Sequence, residues 1–129
     1  MHIEYTVQFR ICGDFEPELL SVELDLIPKM IVKSGQIILG TRTTKSVWSF
    51  AELVDDEIIH WSNLEDGLNS LLNKLSQKQE KIKQLQSKYS VDLFCGMFSS
   101  SFDGGPAFSP KLFKRLAEFG VELFIDCYL

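Results

Sequence analysis

Residues 2 to 12 alternate. Ile3, Tyr5, Val7, Phe9 and Ile11 fall on one face, and His2, Glu4, Thr6, Gln8 and Arg10 on the other. Period two over this length predicts a strand with one buried and one wetter face, the pattern of an antiparallel sheet. Gly13-Asp14 ends the strand. Asp14 lies in an N-cap region, Pro17 suits a first helical turn, and Leu19, Leu20, Val22, Leu24 and Leu26 form a short apolar stretch that Pro28 stops. Further on, Ile37-Ile38-Leu39 can form a short strand, and Val47, Trp48, Phe50 and Leu53 sit in a strand-prone run. Gly35 to Leu53 therefore reads as a hairpin, followed by an acidic turn at Asp55-Asp56-Glu57.

From about residue 62 to 89 the period becomes helical. Leu64, Leu68, Leu71, Leu72, Leu75, Ile82, Leu85 and Tyr89 recur at threes, fours and sevens. Ser62 or Asn63 can cap the helix, with Glu65 placed as in a capping box. The stripe thins at Ser76-Gln77-Lys78-Gln79, where a kink or break can fall. Val91 to Ser101 is a second strong strand, with Val91, Leu93, Cys95 and Met97 on one face and Phe94 and Phe98 on the other. A loop at Asp103-Gly104-Gly105-Pro106 leads to Ser109-Pro110, a helix start with cap and first-turn proline, and Gly120 closes that helix. Val121 to Tyr128 is a last strand.

Phe15-Glu16-Pro17-Glu18-Leu19-Leu20 and Phe108-Ser109-Pro110-Lys111-Leu112-Phe113 share the pattern Phe-x-Pro-x-Leu-apolar at two strand-to-helix junctions. The match reflects either duplication or helix-start chemistry. Two β-α-β units joined by the long helix predict an α+β fold with a ferredoxin-like antiparallel sheet, spanning residues 1–129 as one domain.

Composition narrows the function. The 129 residues carry a net charge of −5, which argues against general affinity for nucleic acid or anionic membrane. Residues 1–66 hold 5 Lys+Arg against 12 Asp+Glu, a balance of −7, and residues 67–129 hold 8 against 6, a balance of +2. Cys12, Cys95 and Cys127 are odd in number and lie in apolar runs, so they read as buried or half-buried reduced thiols. No signal-peptide pattern opens the chain, and no apolar run approaches the roughly 20 residues a bilayer needs. A cytoplasmic location is expected.

A search for catalytic chemistry finds no constellation. His2 and His60 lack neighbours at metal-ligand spacing, so neither a metal nor a cofactor is expected. Ser99-Ser100-Ser101 is not in a nucleophile elbow, and Cys95 or Cys127 would need a distant histidine as base. No glycine pattern forms a phosphate loop. Phe94-Cys95-Gly96-Met97-Phe98 faintly resembles an RNA-recognition strand but has no basic residue leading it. Asp126, in mid-strand, reads as solvated or as paired with Arg10 on another strand. The chain is therefore expected not to be an enzyme.

Two features remain as binding candidates. The acidic groups Asp14, Glu16 and Glu18, and Asp55, Asp56 and Glu57, suit a basic partner. Phe94, Phe98, Phe124 and Tyr128 stand opposite the regular apolar face. They are expected to lie beneath residues 28–45, or else to form a patch or, with Trp48, a small-ligand pocket.

The opening strand Tyr5-Thr6-Val7-Gln8-Phe9-Arg10-Ile11, the Asp14…Pro17 helix entry, the Gly35…Trp48 segment, the helix from Leu64 and the ending Gly120-Val121-Glu122-Leu123-Phe124-Ile125-Asp126-Cys127-Tyr128 together resemble the bacterial domain-of-unknown-function family 4279. The resemblance implies small cytoplasmic domains without assigned catalytic residues, some of which look like immunity proteins of toxin systems. It makes the expected partner a cognate toxin domain, basic and a nuclease among the candidates. The alternative is a non-catalytic domain that binds a small ligand.

Overall fold

The computed structural model describes residues 3–100 and 104–128. The alternating opening becomes β1 (Ile3–Gly13), followed by α1 (Pro17–Leu24) and β2 (Met30–Val32). Two short strands, β3 (Ile37–Ile38) and β4 (Thr41–Arg42), form their own hairpin before β5 (Ser46–Phe50). A second hairpin pairs β6 (Leu53–Val54) with β7 (Glu57–Ile58). Then come α2 (Leu64–Leu75), a 3-10 turn at Ser76–Lys78, α3 (Gln79–Gln86), β8 (Ser90–Ser99), α4 (Pro110–Phe119) and β9 (Glu122–Tyr128).

The main sheet has the order β2-β5-β1-β8-β9. β1 pairs antiparallel with both β5 and β8, whereas β8 and β9 run parallel. The fold is therefore α+β with a mixed sheet, which corrects the expected all-antiparallel one. Both expected units are parallel crossovers, and β8-α4-β9 joins adjacent strands. β1-α1-β2 skips one position, because β1 and β2 each run antiparallel to β5, which lies between them. The shared Phe-x-Pro-x-Leu pattern thus starts the crossover helix of both units, α1 at Pro17 and α4 at Pro110. The hairpin expected from Gly35 to Leu53 is also replaced: β3 and β4 pair with each other, and β5 joins the main sheet between β2 and β1.

The apolar stripes explain the layering. Tyr5, Val7, Phe9 and Ile11 of β1 share one buried cluster with Trp48 of β5, Leu93 and Cys95 of β8, and the inward leucines of α2. Leu20 and Leu24 of α1, Ile82 and Leu85 of α3, and Leu112, Leu116 and Phe119 of α4 join it. The helices thus cover one sheet face. Each fully buried large apolar side chain contributes roughly 1.5–3 kcal/mol. Gly67 in α2 makes room for the Trp61 indole, since a Cβ there would lie 2.8 Å from a ring carbon.

The long helix does break where its stripe thins. Asn63 caps it, its side-chain oxygen accepting from the Asp66 amide at 3.0 Å. Glu65 does not close a capping box with Ser62. Its carboxylate instead accepts from the amide and hydroxyl of Ser109, at 2.6 and 2.9 Å, and Ser109 in turn caps α4 through the Leu112 amide. Arg115 fastens α4 further by donating to Asn69 and Asn73 of α2. The helix that crosses from β8 to β9 is thereby locked to the helical layer, and this fixes β9 at the sheet edge.

Candidate partner-binding face

The side of the sheet away from the helices carries the other half of each alternating strand. On β8 these residues are Asp92, Phe94, Gly96 and Phe98, and the register sets them beside Glu122, Phe124, Asp126 and Tyr128 of β9. The result is two cross-strand aromatic pairs. Phe94 and Phe124 stack with centroids 5.6 Å apart and planes 14° apart, and Phe98 and Tyr128 stack at 4.9 Å and 15°. Phe98, Phe124 and Tyr128 remain 37%, 52% and 42% exposed. Residues 28–45 do not cover them, contrary to expectation, because β2 lies at the opposite edge of the sheet.

Each pair is extended toward β1 by a nitrogen-bearing side chain. The Arg10 guanidinium carbon sits 4.2 Å from the Phe94 centroid. Its Nε and Nη2 donate to the two carboxylate oxygens of Asp92, both at 2.9 Å. On the other row, the His60 ring lies 5.7 Å from Phe98 and is hydrogen-bonded to Glu4 at 3.0 Å. Two parallel rows result, Arg10–Phe94–Phe124 and His60–Phe98–Tyr128. Both end on edge strand β9.

The electrostatics follow from these contacts. The Asp92 hydrogen bond, and secondarily its charge, holds the Arg10 pKa above its ordinary value against the opposing effect of burial. Tyr128 donates to Asp126 Oδ2 at 2.8 Å, and this bond raises the phenol above its usual 10.0. The Asp126–Arg10 pairing considered from sequence is therefore not made: Arg10 takes Asp92, and Asp126 takes Tyr128. Gly96 lies between the rows, where a Cβ would come within 2.7 Å of the Thr6 hydroxyl and 2.9 Å of the Phe98 ring.

Trp48 does not belong to this face. It is fully buried on the helix side, packs edge-on against Phe9 at 6.3 Å and donates from Nε1 to the Ser21 hydroxyl at 3.0 Å. A single pocket bounded by Trp48, Phe94 and Tyr128 therefore does not form, because the sheet stands between the first and the other two.

The two acidic groups also lie apart. Asp14, Glu16 and Glu18 follow the end of β1. Lys33 lies 3.0 Å from Glu18 and 4.0 Å from Glu16. The Glu18 carboxyl is held below its usual range first by a backbone hydrogen bond and then by Lys33. Asp55, Asp56 and Glu57 sit at the β6–β7 hairpin, near the start of β1, where Trp61 pairs with Tyr5. Asp55 and Asp56 form the tight turn with φ of 54° and 64°, positive values that Asp tolerates better than most residues. The carboxylates that border the aromatic rows are instead Glu4, Asp92, Glu122 and Asp126. Arg10, His60, Glu4 and Asp92 are site residues that the sequence reading missed; the outward half of the alternation of β1 points to Glu4 and Arg10, and that of β8 to Asp92, while His60 carries no such signal.

The cysteines divide by position. Cys95 is buried in the core, and burial pushes its thiol up to about 12. Cys12 is half-buried, with its pKa raised by burial. Cys127 is exposed, contrary to the expectation that all three thiols are at least half-buried. Ser101, Asp103 and His2, weighed as candidates or loop residues, lie outside the described residues. Among the described residues no three His, Cys, Asp or Glu side chains group as metal ligands, and no helix is long and apolar enough to cross a membrane.

One family model matches residues 3–129. The chain belongs to the DUF4279 family, a domain of unknown function. The DUF4279 match covers every strand and helix described above. No curated protein and no solved structure matches the chain.

Proposed function

We propose that this DUF4279 chain is a small acidic binding protein, made in the cytoplasm of a bacterium, that holds and neutralises a basic toxin domain as an immunity protein. The observation that carries the reading is the uncovered aromatic face at β8 and β9. Rings that are one-third to one-half exposed in adjacent stacked pairs offer much contact area at little entropic cost, and such residues anchor protein interfaces. The carboxylates around them, and the acidic groups at Asp14–Glu18 and Asp55–Glu57, favour approach of a positively charged surface and raise its association rate. No bound cofactor is part of this reading.

The alternative, a non-catalytic domain with a small ligand in a sheet pocket, draws less from the geometry, because Trp48 is separated from Phe94 and Tyr128 by the sheet itself.

The direct test is genetic. The toxin-domain gene expected next to the one encoding this chain is expressed alone and with it. Restored growth on co-expression, with a complex that purifies intact, supports the immunity reading. Toxicity that co-expression leaves untouched would contradict it.

A further inference from the structure

Among the described residues strand β9 is one edge of the main sheet and has a neighbour on one side only, β8. Its open-face residues alternate acid and ring: Glu122, Phe124, Asp126, Tyr128. Both aromatic rows end on it, and its two rings are the most exposed of the four. The same face already shows how it holds a guanidinium. Arg10 lies against one side of Phe94 while Asp92 takes its two N–H groups.

We propose that β9 takes up an extended segment of a basic protein as a sixth strand. Arginine side chains on alternate residues of that segment would lie against the outer sides of Phe124 and Tyr128 and pair with Glu122 and Asp126. The inference rests on the binding-protein reading above and names its surface and chemistry. Strand addition uses the free backbone groups of an edge for affinity and alternate side chains for specificity. A guanidinium suits the face because it stacks on rings and forks to carboxylates. Carboxylates on an edge discourage acidic strands and so select a basic one. A second copy of this chain fits poorly, since Glu122–Tyr128 contains no Lys or Arg. A nucleic acid would bring its phosphates against Glu122 and Asp126.

The test titrates two nine-residue peptides into the isotope-labelled full chain, one alternating arginine with threonine and one alternating glutamate with threonine. Amide shifts should concentrate on β9 and the facing part of β8, with the arginine peptide alone binding. The F124T/Y128T variant, which keeps strand-forming residues, should weaken binding about fivefold or more, and E122K/D126K should abolish it. Equal binding of both peptides, no binding, tighter binding of a short uridine oligonucleotide, or a homodimer through β9 seen by sedimentation and lost in F124T/Y128T would each overturn the inference. Arginine-peptide shifts at Asp14–Glu18 or at the β6–β7 hairpin would overturn it too, while leaving the binding-protein reading standing.

Discussion

The guanidinium of Arg10 rests 4.2 Å from the centre of the Phe94 ring while both of its forked contacts to Asp92 measure 2.9 Å. A strand pair, a ring and an ion pair are thus tied at one point of the open face. The side chains are 28% and 17% exposed, so solvent screens the pair only in part. A double-mutant cycle with R10A and D92A should give a coupling of about 1–2 kcal/mol by denaturant unfolding. R10K should recover little of it, since lysine keeps charge but neither fork nor planar stacking. A coupling near zero would mean that the pair is only solvated.

Core and face should separate cleanly in stability. Trp48→Ala removes a fully buried indole and its bond to Ser21, and should cost about 3–5 kcal/mol. Phe124→Ala, at a half-exposed position, should cost less than about 1 kcal/mol. Comparable losses in thermal or denaturant unfolding would show that Phe124 belongs to the structural core.

Gly96 sets how close the rows lie. Adding a Cβ brings it within 3 Å of both Thr6 and Phe98, so Gly96→Ala must move one of those side chains. The expected cost is about 1–2 kcal/mol, with ring-current shifts lost at Tyr128 as Phe98 turns away. Unchanged shifts at Tyr128 would contradict the packing.

Tyr128 should titrate above 10.0 because its hydroxyl donates to Asp126. A raised pKa means that the fold favours the neutral phenol. Its contribution to stability is therefore complete below the unfolded value and is lost as pH rises through the folded one. Carbon NMR of the labelled tyrosine checks the value, and Asp126→Asn should bring it back toward 10.0. A titration at 10.0 in the unmodified chain would contradict the hydrogen bond.

Local patterning made the strands and helices legible. The alternation of β1 and the helical stripe with its break at Ser76 both came from side-chain periodicity, which acts within a few residues. Strand order did not, because Phe-x-Pro-x-Leu starts the crossover helix whether the chain returns to the adjacent strand, as at β9, or one position further on, as at β2. The same gap explains the site. Phe94, Phe98, Phe124 and Tyr128 could be placed on one face by parity, but their exposure depended on where β2 joined the sheet. Trp48 was grouped with them as an aromatic residue, although register puts it beside Ile11 on the buried side. Arg10 pairs with Asp92 and not with Asp126, and a residue pair 82 positions apart leaves no local trace.

The central claim is that the uncovered rings of β8 and β9 bind a basic protein partner. Calorimetry of the chain with the toxin domain proposed as its partner, comparing the unmodified protein with F124T/Y128T, tests it most directly. A loss of roughly 30-fold or more in affinity with unfolding stability kept is the expected result. Unchanged affinity in the variant would contradict it.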